Sequence, residues 1–336
     1  MPIDRRQFFA AAGSAAIAGL VTGQLPVLAA EKTAVNVGEI PIIDCHQHLW
    51  DLDRFKLPWI EPGTLLGKSY VMRDYLAARE GTGIRHAVYM EVDVDPSQQQ
   101  AEADHLIEIC KTESSPTIAA VVSGRPASDG FAAYARGFRG SPQIKGIRQV
   151  LHVSTAPQGY CLGEGFVRGM KLLGELGLSF DLCMRPADLA DGAKLAEKCP
   201  DTRFILDHCG NADPKAFLKS SDPRLAGVKP DHAVDAWKRD LEKVASRPNV
   251  LCKISGIVAR VPKEWSPDDL APIVNHCLDT FGPQRVLFGS DWPVCLLGAP
   301  LAAWVSALRQ IIASRPALEQ KQLLWDNAAK FYGLKV

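Results

Sequence analysis

The 336-residue chain has no excess of either charge: lysine plus arginine and aspartate plus glutamate both number 38. That balance removes the electrostatic ground for a nucleic-acid partner or an anionic membrane surface. Nine cysteines are present, yet no C-x-x-C pair occurs. Their count is odd and several stand inside apolar runs, so they read as small buried residues rather than a disulfide frame. There is no linker, no low-complexity tract and no short repeat after the N-terminal segment. No G-x-S-x-G elbow appears, which argues against an acyl-enzyme route through serine. The turn after the first candidate strand is Cys45-His46-Gln47-His48, not the glycine-rich phosphate turn that an open, doubly wound sheet would need. What is there is a chain 47% hydrophobic, enough for a sizeable core, whose function must rest on specific residues.

The N-terminus carries Arg5-Arg6 before Gln7-Phe8-Phe9, then a mildly apolar stretch from Ala10 to Leu28 diluted by Gly13, Ser14, Gly19 and Gly23. A small-residue site follows at Ala29-Ala30. Two arginines before a modest apolar core resemble a twin-arginine export signal, so residues 1–30 are expected to direct a folded protein to the periplasm. Folding in the reducing cytosol before export fits the unpaired cysteines. A single membrane anchor is the alternative. It is disfavoured because an apolar run of about 19 residues, interrupted by glycine, is a poor span. No stable membrane insertion is expected once the signal is removed.

From residue 38 to 336 the pattern is that of one domain. Short apolar runs at 41–45, 86–92, 117–123, 145–151, 179–184, 203–207, 250–255 and 285–289 are candidate strands. Helix-period segments lie between or after them at 98–112, 164–176, 187–198, 233–245 and 268–281, with two further helices at 300–313 and 316–331. Strands without polar alternation are buried on both faces, as in a parallel sheet covered by helices. Eight such units predict an α/β fold, a (β/α)8 TIM barrel with extra C-terminal helices. Functional residues should then collect at the C-terminal ends of the strands.

Unusual polar residues stand at those ends. The first strand runs into His46 and His48, two apart and therefore aimed to one side of an extended backbone. The sixth ends in Asp207-His208 and the eighth in Ser290-Asp291. A turn role is the simpler account of Asp291, between Gly289 and Pro293, but a carboxylate in the barrel mouth accounts for more. His46, His48, His208 and Asp291 form an open set of three nitrogens and one oxygen, suited to one divalent metal, zinc first, with room for water. The set equally suits a metal-free site in which histidines polarise a carbonyl and Asp291 activates water. Glu91 and His152 stand where they could reach substrate. Trp50, Trp59 and Trp292 flank the site and could wall a ring. Lys253 lies inside an apolar strand, where an unpaired ammonium would be costly, so a partner in the barrel mouth is required.

Taken in order, Asp44-x-His46-x-His48-x-Trp50, Asp207-His208-Cys209-Gly210 and Phe288-Gly289-Ser290-Asp291-Trp292-Pro293 resemble the amidohydrolase-2 group of the amidohydrolase superfamily. Within it the likeness is to sugar-lactone and pyrone-dicarboxylate lactonases, including L-fuconolactonase-like proteins. Pro58-Trp59, Lys145-Gly146-Ile147-Arg148, Phe180-Asp181-Leu182 with Arg185-Pro186, and Lys253-Ile254-Ser255-Gly256 support it, over about residues 40 to 332. The resemblance implies that Asp291 is the general base, that His46, His48 and His208 hold a metal or polarise a lactone carbonyl, and that Arg148 and Arg185 grip substrate hydroxyls or carboxylates. No lysine or glutamate stands ready to bridge two metals, since Lys145 lies too early on its strand, so at most a single ion is implied. The leading expectation is hydrolysis of a small-molecule cyclic ester. A metal-dependent decarboxylase is the second reading, told apart by release of carbon dioxide. A non-catalytic periplasmic binding protein is the third, told apart by tight binding without turnover. A homo-oligomer is compatible with each.

Overall fold

The computed structural model describes residues 40–336; the expected export signal lies outside the described residues. Eight strands follow in order: β1 (Ile42–Gln47), β2 (Ile84–Met90), β3 (Thr117–Ser123), β4 (Ile144–Val150), β5 (Ser179–Cys183), β6 (Arg203–Leu206), β7 (Val250–Ile254) and β8 (Val286–Phe288). Each pairs in parallel with its neighbour in sequence. Parallel neighbours need long crossovers, and helices such as Gln99–Lys111, Glu164–Leu176 and Pro267–Phe281 supply them. The result is the expected (β/α)8 barrel, with every expected strand found within two residues of its bounds. Helices Met72–Ala78 and Phe131–Gly137, too short for a clear period, were not among the expectations.

The lumen is filled. Ile43, Cys45, Val88, Met90, Val121, Ile205 and Leu287 form a cluster of their own inside the strands. Phe331 and Tyr332 close it from the N-terminal end. They belong to the last helical run, expected as one helix over 316–331. It divides into Ala317–Lys321, a π-helical turn at Gln322–Asp326, and Asn327–Tyr332. Outside the strands a larger apolar cluster joins sheet to helices, with Trp237, Trp304 and Phe166 fully buried. Each large side chain buried this way contributes about 1.5–3 kcal/mol. Eight of the nine cysteines are buried and all are free thiols, as the sequence implied. Among the described residues no helix is long and apolar enough to cross a membrane.

The seam between the last strand and the first positions the site. The Asp291 N–H donates to the His46 carbonyl at 2.8 Å, and the His48 N–H donates to the Trp292 carbonyl at 2.8 Å. Asp44 laces the two segments from below. Its carboxylate accepts from the Ser290 N–H (2.7 Å), Ser290 Oγ (2.5 Å) and Tyr75 hydroxyl (2.8 Å). Barrel closure and the meeting of His46 and His48 with Asp291 are therefore one set of bonds.

Candidate active site

Three electron pairs converge at the C-terminal end of the barrel. His48 Nε2 stands 3.2 Å and His46 Nε2 3.6 Å from Asp291 Oδ1. His48 Nδ1 lies 2.9 Å from the Met90 carbonyl, which can only accept, so Nδ1 carries a proton while Nε2 is turned to Asp291. Ligand atoms around a tetrahedral zinc stand about 3.4 Å apart when the bonds are near 2.1 Å, so the separations suit such an ion. The donor set fits as well: His46, His48 and Asp291 offer one ligand atom each within 4.8 Å of one another. Buried carboxylates here, Glu91, Asp207 and Asp291 even without Asp181, outnumber the buried cations Arg148 and Lys253, which also favours an added positive charge.

Burial and neighbouring charges act in opposite directions on these groups. Burial works to raise the Asp291 carboxyl, but the His208, His48 and His46 rings beside it bring it down to about 2. Burial pushes His46 well below its ordinary value, against the pull of Asp207. His208 is also pushed down, by burial first and by Arg148 and Lys253, against the pull of Asp291 and Asp207. Its Nδ1 lies 3.0 Å from Ser255 Oγ, and its ring centre 4.5 Å from that of His46.

Local backbone strain places His208. His208, Cys209, Gly210 and Asn211 all have positive φ, forming one left-handed turn. For the three non-glycine residues this costs about 1–2 kcal/mol each. Glycine is required opposite it: a Cβ on Gly256 would stand 2.3 Å from His208 Nδ1. Gly289 plays the same part for His46, where a Cβ would approach the His46 Cβ to 2.5 Å. Asp291 also has positive φ, at 57°.

Beneath the imidazoles lies an ion cluster. Lys253 Nζ is 2.6 Å from Asp181 and 2.9 Å from Asp207, and all three are fully buried. Asp207 in turn lies 3.5 Å from His46 Nδ1 and 3.4 Å from Arg148 Nη1. Burial opposes it, but Lys253 and His46 hold the Asp207 carboxyl well below its usual range. Lys253 thus has the partners that its place in an apolar strand demanded. Asp181 and Asp207 stood in quoted segments of the sequence without a role; two acids and a lysine inside apolar strands were the signal that could have joined them.

A cavity of about 350 Å³ opens above, lined by His48, Trp59, Arg148, His152, His208 and Asp291 among others. A larger depression of about 870 Å³, along Arg79, Gly83 and Val305 beside the start of β2, contains none of these groups. Four sequence expectations need correction. Arg185 does not face the cavity. Its guanidinium donates to the Val153 and Ala156 carbonyls at 3.1 and 2.7 Å and pairs with Asp188, so it braces the loop after β4. Trp50 is buried beneath the cavity lining, edge-on to Trp59 and Tyr70, with its indole N–H on the Lys68 carbonyl. Glu91 is fully buried and grips Arg148 Nε at 2.6 Å rather than substrate. Trp292, also expected to flank the site, packs against Tyr70 and Tyr75. Arg148 does reach the cavity, but its donors are engaged by Glu91 and by His46 Nε2 at 3.2 Å.

A barrel with a His-x-His strand end, a third histidine after β6 and an aspartate after β8 defines a hydrolase-type site. The chain belongs to the amidohydrolase family, which it matches over residues 43–334. It is 29% identical to an L-fucono-1,5-lactonase of Burkholderia multivorans over 87% of this chain and 96% of that protein. It is 24% identical to an L-rhamnono-gamma-lactonase of Scheffersomyces stipitis, over 87% and 98% of the two chains. A crystal structure of a Burkholderia multivorans amidohydrolase with bound zinc superposes with a TM-score of 0.74 at 27% identity, covering 88% of this chain and 99% of that one. The protein is thus an enzyme of the hydrolase class, and its relatives place lactone hydrolysis within reach at family level.

Proposed function

We propose that the protein is a lactonase that opens a cyclic ester with water, using Asp291 as general base. The observation that carries this reading is the meeting of His46, His48 and Asp291 on the floor of a cavity in a chain similar to two lactonases. The imidazoles beside Asp291 favour its ionised form against burial. With Oδ1 turned to the two imidazoles, its other oxygen is left to accept the proton of the attacking water. If Ser255 Oγ–H donates to His208 Nδ1, the His208 Nε2–H is left to donate to the ester oxygen as negative charge develops there. Asp207 fixes the His46 ring from behind, and Glu91 holds Arg148 extended beside it. A zinc or similar divalent ion held by His46, His48 and Asp291 would act as a Lewis acid on the water and the ester carbonyl. Zinc in the Burkholderia multivorans structure supports that choice.

The test is a lactone panel followed by acid release, with carbon dioxide measured in parallel. Ring opening without carbon dioxide is expected, suppressed by chelator and restored by zinc. Asp291→Asn should lower kcat by about a thousandfold with unchanged circular dichroism, as expected for loss of a general base. Full activity in that variant would remove Asp291 from the role, and carbon dioxide release would replace hydrolysis by decarboxylation. Export is a separate part of the proposal, motivated by Arg5-Arg6. A reporter fused to residues 1–30 should reach the periplasm, and Arg5→Lys with Arg6→Lys should block it; equal export of both would refute the route.

A further inference from the structure

We infer that the ring opened at this site belongs to a neutral, largely apolar lactone, carrying alkyl or aryl substituents, rather than to a polyhydroxylated sugar lactone or one bearing carboxylates. The inference rests on the lactonase reading above and concerns the walls of the cavity rather than its floor. The apolar part of those walls is Trp59, Val92, Val150, Val153, Val294 and Leu297. Two of them stand exposed at the mouth, Trp59 at 41% and Leu297 at 54%. Trp59 presents a ring that is held in place, since its indole N–H donates to the Val92 carbonyl at 2.7 Å. A hydroxyl pressed against such a surface gives up water and gains nothing, which weakens binding roughly five- to a hundredfold for each group left unpaired.

The polar side chains that reach the wall each have a partner already. Asp93 holds Arg125 at 2.6 Å. The Asn211 amide donates to the Met184 carbonyl at 2.9 Å. Arg260 donates to the Asn211 carbonyl at 2.8 Å and pairs with Asp231. On the floor, Arg148 spends Nε and Nη2 on Glu91, and its Nη1 stands against Asp207 as well as His46. His152 is the side chain at the rim most able to meet a hydroxyl. A sugar lactone offers several hydroxyls to this short supply of partners. A substrate carboxylate would fare worse, because every arginine lining the cavity is paired while Asp93 and Asp291 face it. An alkyl or aryl substituent, in contrast, gains from each carbon it buries.

The test compares kcat/KM for a series of γ-alkyl-γ-butyrolactones, methyl to hexyl, with that for an aldono-1,4-lactone, an aldono-1,5-lactone and a lactone carboxylate. Values should rise about fourfold per added methylene until the cavity is filled. The best alkyl lactone should exceed both sugar lactones at least about tenfold, as one unpaired hydroxyl would require. Dissociation constants of the matching lactams, measured by calorimetry on the same protein, give a readout that does not depend on turnover. A flat response to chain length, or a sugar or carboxylate lactone used as well as the alkyl series, overturns the inference. Failure to open any lactone overturns the lactonase reading instead, and the lactam affinities then decide the preference of the cavity alone.

Discussion

Replacing Lys253 by methionine would show whether the ion cluster holds the site together. Methionine fills much of the lysine volume without the ammonium, so the packing around β7 changes little. The change strips Asp181 and Asp207 of a cation at 2.6 and 2.9 Å. Removing one partner of a buried ion pair costs about 3–5 kcal/mol, because the other is left charged in a medium that solvates it poorly. Asp207 keeps Arg148 at 3.4 Å, so the loss falls mainly on Asp181. Its carboxyl is already raised by burial to about 7, even with Lys253 pulling it down. Without the lysine it rises further above its unfolded value, and the folded state then binds a proton that the unfolded state releases. Stability of the variant should therefore fall as pH climbs from about 5 to 8 and recover toward pH 5. Asp181→Asn alone removes a carboxyl whose charge burial already opposes and leaves Lys253 its Asp207 partner, so it should cost about 1 kcal/mol. In the double variant the two changes should offset by about 2 kcal/mol or more, since the charge left stranded by the first is absent. Urea unfolding of the four proteins at pH 5.5 and 8 measures all of this. A loss below about 1 kcal/mol in Lys253→Met at pH 8, or a loss that ignores pH, would refute the reasoning.

Two further outcomes follow from the geometry. Gly256→Ala puts a Cβ 2.3 Å from His208 Nδ1 at a backbone φ of +68°, so it must shift the ring off Ser255. We expect about 1–2 kcal/mol lost in unfolding measurements, from the left-handed backbone alone. A fall in kcat of about a hundredfold should accompany it, as for a mispositioned catalytic group; a variant of full activity would show that His208 need not be held there. Glu102 is buried with the Tyr89 hydroxyl and Val92 N–H on Oε1 and no partner on Oε2. Burial, with Glu91 nearby, raises it from 4.5 to about 8, so the folded state retains a proton and stability falls between those pH values. Glu102→Gln keeps both acceptor bonds and removes the titration. Its Tm should exceed the wild-type value by a few degrees at pH 8.5, on the order of 2–4 °C per kcal/mol, and match it at pH 5; equal curves at both would sink the assignment.

The barrel was legible in the sequence because its strands are buried on both faces. Runs such as Thr117–Ser123 and Val250–Ile254 show no polar alternation, and turn residues separate them cleanly from helix-period stretches. The floor of the site was legible for a related reason: His46, His48, His208 and Asp291 are polar residues where apolar strands end, and the barrel brings strand ends together. What spacing along a strand leaves open is the partner of each charge. Arg148 and Arg185 both stand where an anion-gripping arginine would, yet Glu91 claims the first and the Val153 and Ala156 carbonyls claim the second. Lys253 shows how far elementary physics reaches. Burial in an apolar strand demands a counter-ion, but choosing Asp181 and Asp207 requires knowing that strands β5, β6 and β7 lie side by side with those residues facing the lumen. The consequence for function is systematic. Counting charged residues at strand ends overstates the polarity a substrate meets, because a buried charge survives only when another group neutralises it, and the neutralising contacts use up the same donors and acceptors a ligand would need. The charges left for chemistry are those whose partners are themselves incomplete, and here they are the His46, His48 and Asp291 atoms that face one another across 3.2 to 3.6 Å.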